Sequence, residues 1–455
     1  MNKVALGGGV FLAPGNENAE QALSRFKIQN PEYHLAIGMR KRGRYVPIPE
    51  PHINACHPIP YDHPWGGGLA VPRKAASQMD LGHIVDVRTE PSATPLSLKN
   101  GFSLRDYQKN ALRQWQRNDG EGVVIAPCGA GKTAIGVTAM TLFATKALVL
   151  VHTNDLAVQW MNRIQTMLNV KATQYGAGKK DDTGRIVVAT FQTLERMSFT
   201  DRYQFGRQFG LCIVDEAHHV PAHTFCSVMF CMPARYRLGL TATPERQDGL
   251  TSILWWHFGS AVYEITNAEL TKSGHVVPPS IEWFFTDYVG PKDRLDWPKL
   301  INHIVNDTQR NNKIIDRVLT ACDQGRQILV LSDRVDHCIF IAESLRSHTI
   351  VAEPLVGKMT KKQRAEVLER ANNREIQVIC ATTVADEGLD LPSLDTVVLT
   401  TPTKALGRIQ QRIGRVMRPH PEKQDPIVVD CVDDSGAMRG LARKRQKLYT
   451  KIGCL

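Results

Sequence analysis

The sequence predicts an α/β protein: two tandem parallel-sheet lobes, preceded by a small N-terminal accessory domain. Three observations predict it. From Gly101 onward short apolar runs alternate with amphipathic stretches; the alternation restarts after a Gly- and Pro-marked break near Ser273; and residues 1–100 have a different texture. Parallel strands covered by helices on both faces read as continuous apolar segments, because neither face meets water.

Residues 1–100 carry the turn-formers Pro47, Pro49, Pro51, Pro58, Pro60 and Pro64, the run Gly66-Gly67-Gly68, and little helical periodicity. They are expected to form the accessory domain and a linker. The apolar start Val4 to Leu12 is interrupted by Gly7-Gly8-Gly9 where a signal peptide needs a helix, so a hairpin or strand is expected there. The first lobe, 101–272, holds the strand candidates Val123–Ile125, Ala147–Val151, Ile186–Val188, Leu211–Val214 and Arg237–Leu240. Lys272-Ser273-Gly274-His275 and Pro278-Pro279 mark the junction. The second lobe, 273–455, holds Ile328–Leu331, Ile376–Cys380, Thr396–Leu399 and Ile427–Val429, and it ends in a basic helix.

Size and composition agree. A chain of 455 residues exceeds one ordinary core, and the length prior suggests about three domains. With 42% hydrophobic and 22% charged residues, and no apolar run near the ~20 needed to span a bilayer, a membrane protein is excluded. The ten cysteines stand singly, with no Cys-x-x-Cys, which argues for a reducing cytosol or nucleus and against a disulfide framework. The spacing of His52, Cys56, His57 and His63 fits no standard zinc site. A net charge of +11 favours a polyanionic partner.

The chemistry concentrates in the first lobe. The strand ending at Ala126 runs into Pro127-Cys128-Gly129-Ala130-Gly131-Lys132-Thr133 and then a helical stretch. This is a phosphate loop: Gly129 and Gly131 let backbone N–H groups close on phosphate oxygens, Lys132 reaches the outer phosphates, and Thr133 offers a hydroxyl to magnesium. Further on, the strand Leu211–Val214 delivers Asp215-Glu216-Ala217-His218. Two adjacent carboxylates at a strand end are costly unless a cation lies between them and the substrate. Magnesium with ATP supplies that charge, so Asp215 is expected to hold the metal and Glu216 to activate the attacking water.

Together these residues resemble the superfamily-2 helicases of DEAH type, whose loop, Ala-x-x-Gly-x-Gly-Lys-Thr, accepts Ala126. Leu104-Arg105-Asp106-Tyr107-Gln108, Leu240-Thr241-Ala242-Thr243-Pro244, Thr382 to Leu391 and Gln411 to Arg418 follow the family's order. The resemblance implies two RecA-like lobes. It places Gln108 at the adenine edge, Arg105 and Gln411 among the nucleotide-binding residues, Thr241 and Thr243 in coupling hydrolysis to movement, and Gly388 and Asp390 along the interlobe cleft and at the nucleotide. It also makes Lys132, Glu216, Arg415 and Arg418 the catalytic set. An arginine supplied to the transferred phosphoryl group is worth ~10³ to 10⁵ in rate. A solvated basic helix face is the alternative for Gln411 to Arg418.

Nucleic-acid contacts implied by the resemblance are Thr153, Asn154, Thr190 and Gln192 in the first lobe and Thr382 and Thr383 in the second. Thr and Asn after a strand are also ordinary helix caps. Val151 to Trp160, Ala242 to Gly249 and Leu355 to Lys358 lean toward the XPB-type branch, which includes phage branch-migration helicases. The expected partner is therefore DNA, duplex, forked or branched, ahead of RNA, with the oligomeric state open and a monomer compatible. Gln247 departs from the Arg-Glu-Asp element of XPB. Arg40, Lys41, Arg42 and Arg44 beside Tyr45 are a further candidate DNA grip, or a solvated charged turn. Met438, Leu441, Leu448 and Ile452 fall at helical spacing, predicting a C-terminal helix with a basic outer face. An RNA helicase and a nucleotide-switched clamp without translocation remain the competing readings.

Overall fold

The computed structural model describes residues 3–41, 43, 45–63, 66–127, 129–216, 222–242, 250–291, 295–382, 391–403, 406–421 and 423–455, leaving out the side chains at 222, 361, 411, 415, 436 and 437. The chain divides into two compact units, Met1–Ala126 with Gly131–Ile265, and Pro127–Ala130 with Thr266–Leu455. Among the described residues no helix is long and apolar enough to cross a membrane.

The first unit is built on an eight-stranded sheet. Its spatial order is Lys179–Lys180, Thr173–Gly176, Ile186–Thr190, Ala147–Val151, Leu211–Asp215, Tyr236–Thr241, Glu121–Ile125 and Ala261–Glu264. All neighbours are parallel except the hairpin of the first two. The central strands are buried at every position, which is why they read as unbroken apolar runs. Parallel pairing also aligns their C-terminal ends along one edge of the sheet, where ligands of open α/β sheets bind.

The N-terminal residues make a mixed five-stranded sheet of their own, in the order His57–Pro58, Leu69–Val71, Val10–Leu12, Val4–Leu6, Ile84–Asp86. Val4–Leu6 and Val10–Leu12 form the antiparallel hairpin expected around Gly7-Gly8-Gly9. This sheet is not a separate body. Phe11, Ile59 and Ala70 share one buried cluster with Phe199, Phe230 and Phe258. A Cβ on Gly8 would stand 1.9 Å from the Phe230 carbonyl oxygen, so glycine is what allows the hairpin turn to press against the helix Ala222–Phe230.

Two buried arginines fasten the same junction. Arg237 on the strand Tyr236–Thr241 donates to the carbonyls of Gly8 at 2.5 Å, Met229 at 3.0 Å and Met232 at 2.6 Å. Arg73 donates to Gly7 O at 2.5 Å and Ala234 O at 2.9 Å, and pairs with Glu121 at 2.5 Å. Burial alone would raise the Glu121 carboxyl, but Arg73 and Lys74 outweigh it and hold the pKa down at about 2. Nearby, Cys56 Sγ donates to Ala22 O at 3.7 Å and His63 packs edge-on to Tyr203 at 4.4 Å between ring centroids, so both side chains serve packing.

The second unit carries a six-stranded, wholly parallel sheet in the order Ser280–Phe285, Ile427–Val432, Thr396–Leu399, Ile328–Leu331, Val378–Ala381, Ala352–Leu355. Helices Thr308–Asp323 and Val335–Ser347 pack their apolar faces on it. Asp433, buried just beyond Ile427–Val432, pairs with Arg310 at 2.6 Å and receives the Thr286 hydroxyl at 2.6 Å. The C-terminal helix Gly436–Lys451 is tied to the sheet by Arg445 and Tyr449, which both bond Asp430 Oδ2, at 2.7 and 2.6 Å.

Candidate active site

Three neighbouring strands of the first unit set the geometry. Register pairs Thr241 with Ile125 and Asp215 with Leu240, so the strands ending at Ile125, Asp215 and Thr241 finish side by side. The ladder continues one step beyond each strand: Ala126 N–H donates to Thr241 O at 2.8 Å and Glu216 N–H to Leu240 O at 2.9 Å. Glu216 leaves the strand at φ +50°, a left-handed conformation costly for a residue with a side chain and concentrated at functional sites.

That turn directs Glu216 at the phosphate loop. Lys132, first residue of the helix Lys132–Ala139, pairs with Glu216 Oε1 at 2.7 Å and donates to Ala126 O at 3.3 Å. The other oxygen of Glu216 receives Thr241 Oγ1 at 3.4 Å and Ala242 N–H at 3.3 Å. Gly131 caps the helix at φ +77°, and a Cβ there would stand 2.5 Å from Gln108 Nε2, so both conformation and space require glycine. Gln108 is buried, with its Oε1 accepting Arg105 N–H at 3.0 Å; Arg105 Nη1 reaches Tyr107 Oη at 2.8 Å.

Asp215 is 5% exposed. Trp160 Nε1 donates to its Oδ2 at 2.8 Å, whereas its Oδ1 is buried and makes no hydrogen bond among the described residues. Burial, then the charge of Glu216, pushes its pKa up to about 6, against the pull of Lys132 and the Trp160 hydrogen bond. A buried carboxylate oxygen with no donor is what a hard, oxygen-seeking cation would satisfy. Asp215 and the half-buried Thr133, second residue of the loop helix, therefore fit magnesium.

Sequence reasoning missed the support around Asp215. Trp160, on the helix Asn154–Leu168, falls with Ile164 and Met167 on one buried face and reads as core. A buried indole N–H needs an acceptor, and that was the available signal. Gly136 makes room for it: a Cβ there would lie 2.5 Å from Trp160 Cη2.

Other expected site residues are placed as follows. Thr153 and Thr190 accept Leu156 N–H and Thr193 N–H, both at 3.3 Å, and so cap the helices Asn154–Leu168 and Phe191–Glu195. Their strands are neighbours in register, Thr190 opposite Val151. Asn154 Oδ1 is buried without a hydrogen bond among the described residues, and Gln192 is exposed. Arg40 Nε bonds Val46 O at 2.9 Å and its guanidinium lies over Tyr45, 5.4 Å from the ring centroid; Lys41 is exposed. In the second unit Thr382 is buried after Val378–Ala381, and Arg418 is half-buried just past the helix Leu406–Val416, which carries Gln411 and Arg415. Pro127, Gly129 and Ala130 form a turn closed by Ala130 N–H to Pro127 O at 3.2 Å, with Gly129 at φ +87°. Cys128, Ala217, His218, Thr243, Thr383, Gly388, Asp390, Arg42 and Arg44 lie outside the described residues.

The chain resembles known helicases in sequence and in fold. Residues 101–246 match the family model "Type III restriction enzyme, res subunit", and 310–420 match "Helicase conserved C-terminal domain". The chain is 27% identical over 365 residues to "Putative helicase 22" of Sulfolobus islandicus filamentous virus, a match covering 74% of this chain and 65% of that protein. It is 26% identical over 392 residues to "DNA 3'-5' translocase XPB2" of Sulfurisphaera tokodaii, covering 77% and 86%. It is also 26% identical over 373 residues to "Probable helicase D10" of Escherichia phage T5, covering 81% and 80%. Among solved structures, S. cerevisiae Dbp5 bound to RNA and ADP BeF3 aligns with TM-score 0.58 at 16% identity, covering 77% of this chain and 88% of that one. The Pyrococcus furiosus Hef helicase domain aligns with TM-score 0.50 at 18% identity, covering 75% and 98%. These two likenesses concern the fold.

Proposed function

The chain belongs to the superfamily-2 helicases, close to the XPB and phage branch, and from that premise we propose that it hydrolyses ATP to move on DNA, unwinding or branch-migrating duplex or forked substrates in replication, recombination or repair. The observation that carries the hydrolytic half is the buried, unpartnered oxygen of Asp215 beside the Lys132–Glu216 pair. Magnesium and ATP, when bound, supply the divalent charge and the phosphoryl group. Asp215 and Thr133 would hold the metal. With the nucleotide bound, Lys132 would exchange Glu216 for a terminal phosphate, leaving Glu216 Oε1 to take a proton from water. Thr241 and Ala242 hold the opposite oxygen of Glu216, which keeps its Oε1 turned toward Lys132. By the family resemblance, Arg415 and Arg418 would supply charge stabilisation to the transferred phosphoryl group.

DNA as the track is supported by the printed activities of the archaeal relative "DNA 3'-5' translocase XPB2" and of the bacterial "DNA 3'-5' helicase XPB" from Kineococcus radiotolerans. Net charge of +11 suits a phosphate-lined partner. The test is an ATPase panel with single-stranded DNA, duplex DNA, branched DNA and RNA. Branched or duplex DNA should stimulate turnover most. Strongest stimulation by RNA would move the chain to RNA remodelling, and stimulation without displacement of a triplex-forming strand would make it a clamp.

A further inference from the structure

We propose that the outer face of the C-terminal helix Gly436–Lys451, together with Phe285 on the neighbouring edge strand, binds a single strand of nucleic acid, with phosphates on Arg443, Lys444 and Lys447 and an unstacked base on Phe285. This rests on the reading of the chain as a nucleic-acid motor and adds to it a binding surface whose residues lie outside the sequence motifs that carry the family resemblance.

The helix is held in one orientation. Arg445 and Tyr449 point inward to Asp430, and Met438 packs with Tyr288, Ile301 and Ile304. Arg443, Lys444 and Lys447 are consequently on the solvent side, exposed and with no hydrogen bond or ion pair among the described residues. Arg439, on the same side, pairs with Asp434. The helix contains no acidic residue. Arg439, Arg443, Lys447 and Lys451 follow one another at intervals of four, a row of cations about 6 Å apart along the axis. Like charges at that spacing destabilise a helix. A helix needing only solubility would interleave acids, as Lys361–Asn372 does with Glu366 and Glu369. The exposed cations Arg443, Lys444 and Lys447 are what a phosphate backbone would neutralise.

Phe285 is the independent observation. It ends the edge strand Ser280–Phe285 and is 65% exposed. Side chains alternate across a strand, so Phe285 lies on the same face as Trp283. Trp283 packs on Tyr449 of the basic helix, 5.5 Å between ring centroids. Glu282, on the opposite face, pairs with Arg317 of Thr308–Asp323 at 2.6 Å, which fixes the alternation. An exposed aromatic on the sheet face against which a helix bearing the exposed cations Arg443, Lys444 and Lys447 packs is the pairing used to hold single strands without regard to sequence.

The experiment uses the full chain and fluorescein-labelled 20-nucleotide DNA, single-stranded and duplex, in anisotropy titrations across a salt series. R443Q/K444Q/K447Q should lower affinity for both probes and reduce the slope of log affinity against log salt by about 2 to 3. F285A should weaken the single strand by roughly 5- to 150-fold, the range of one lost base stack, with the salt slope unchanged and the duplex unaffected. The charge-retaining R443K/K444R/K447R should bind as the parent does, which separates lost charge from a disturbed helix. If the parent is stimulated by nucleic acid while the Gln variant keeps its salt slope, or F285A keeps single-strand affinity, this surface is wrong and the motor reading stands. If the parent binds neither probe, both fail.

Discussion

At Asp215 ionisation is opposed by burial and by Glu216, and favoured by Lys132 and one hydrogen bond from Trp160. In the absence of a divalent cation that balance is unfavourable to the folded state. Asp215→Asn keeps the shape and removes the charge, so it should raise the thermal stability of the magnesium-free protein by about 1 to 3 kcal/mol. The same variant should lose the stabilisation that magnesium with nucleotide gives the parent. Melting curves in chelator and in magnesium check both; a lower midpoint in chelator would show that Asp215 is satisfied without a metal. Trp160 acts through Asp215. Trp160→Phe should cost 10- to 100-fold in manganese affinity, read by electron paramagnetic resonance, which is the usual scale for losing a partner that orients a metal ligand. Gly136→Ala should reproduce part of that loss by displacing the indole.

At the scale of elements, the N-terminal sheet and the first lobe act as one piece because of charge as well as apolar contact. Glu121 has a pKa of about 2 in the folded chain against 4.5 ordinarily, so the native state binds fewer protons than the unfolded state between those values. Its contribution is complete above pH about 4.5 and is lost as pH falls through 2, about 3 kcal/mol in all. Urea unfolding at a series of pH values should show that acid slope. Glu121→Gln should flatten it while costing about 3 to 5 kcal/mol at neutral pH, since Arg73 would be left buried and unpaired. The central strands of both sheets were legible in the sequence because burial on both faces makes most of their positions apolar, with the few charged ones, such as Glu121 and Arg237, paired or hydrogen-bonded. Ala352–Leu355 was not, since Pro354 interrupts it; the strand tolerates proline because it lies at the sheet edge. Nor was the docking of residues 1–100, because its determinants, such as Arg73 with Glu121 and Gly8 with Phe230, lie far apart in sequence and leave no local pattern.

Over the whole molecule, the arginine-bearing stretch shows where sequence and structure divide the labour. Arg412, Arg415 and Arg418 are indistinguishable as letters in a basic helix, and the family's order of motifs singled out the last two. The structure separates Arg412 from Arg418 physically: Arg412 is 2% exposed, with Asp333 at 3.7 Å, whereas Arg418 is half-buried past the helix end. Arg412→Ala should therefore lower the melting temperature of the chain, as loss of a buried partner to Asp333 and its surroundings does. Arg418→Ala should leave the melting temperature in place and reduce kcat about 10³-fold or more, with little change in KM, if the second unit stabilises the charge that develops in phosphoryl transfer. Steady-state kinetics and melting curves on the two variants together decide the matter. A destabilised Arg418→Ala with normal kcat would assign that arginine to packing and would remove the chemical reason for hydrolysis to require both units.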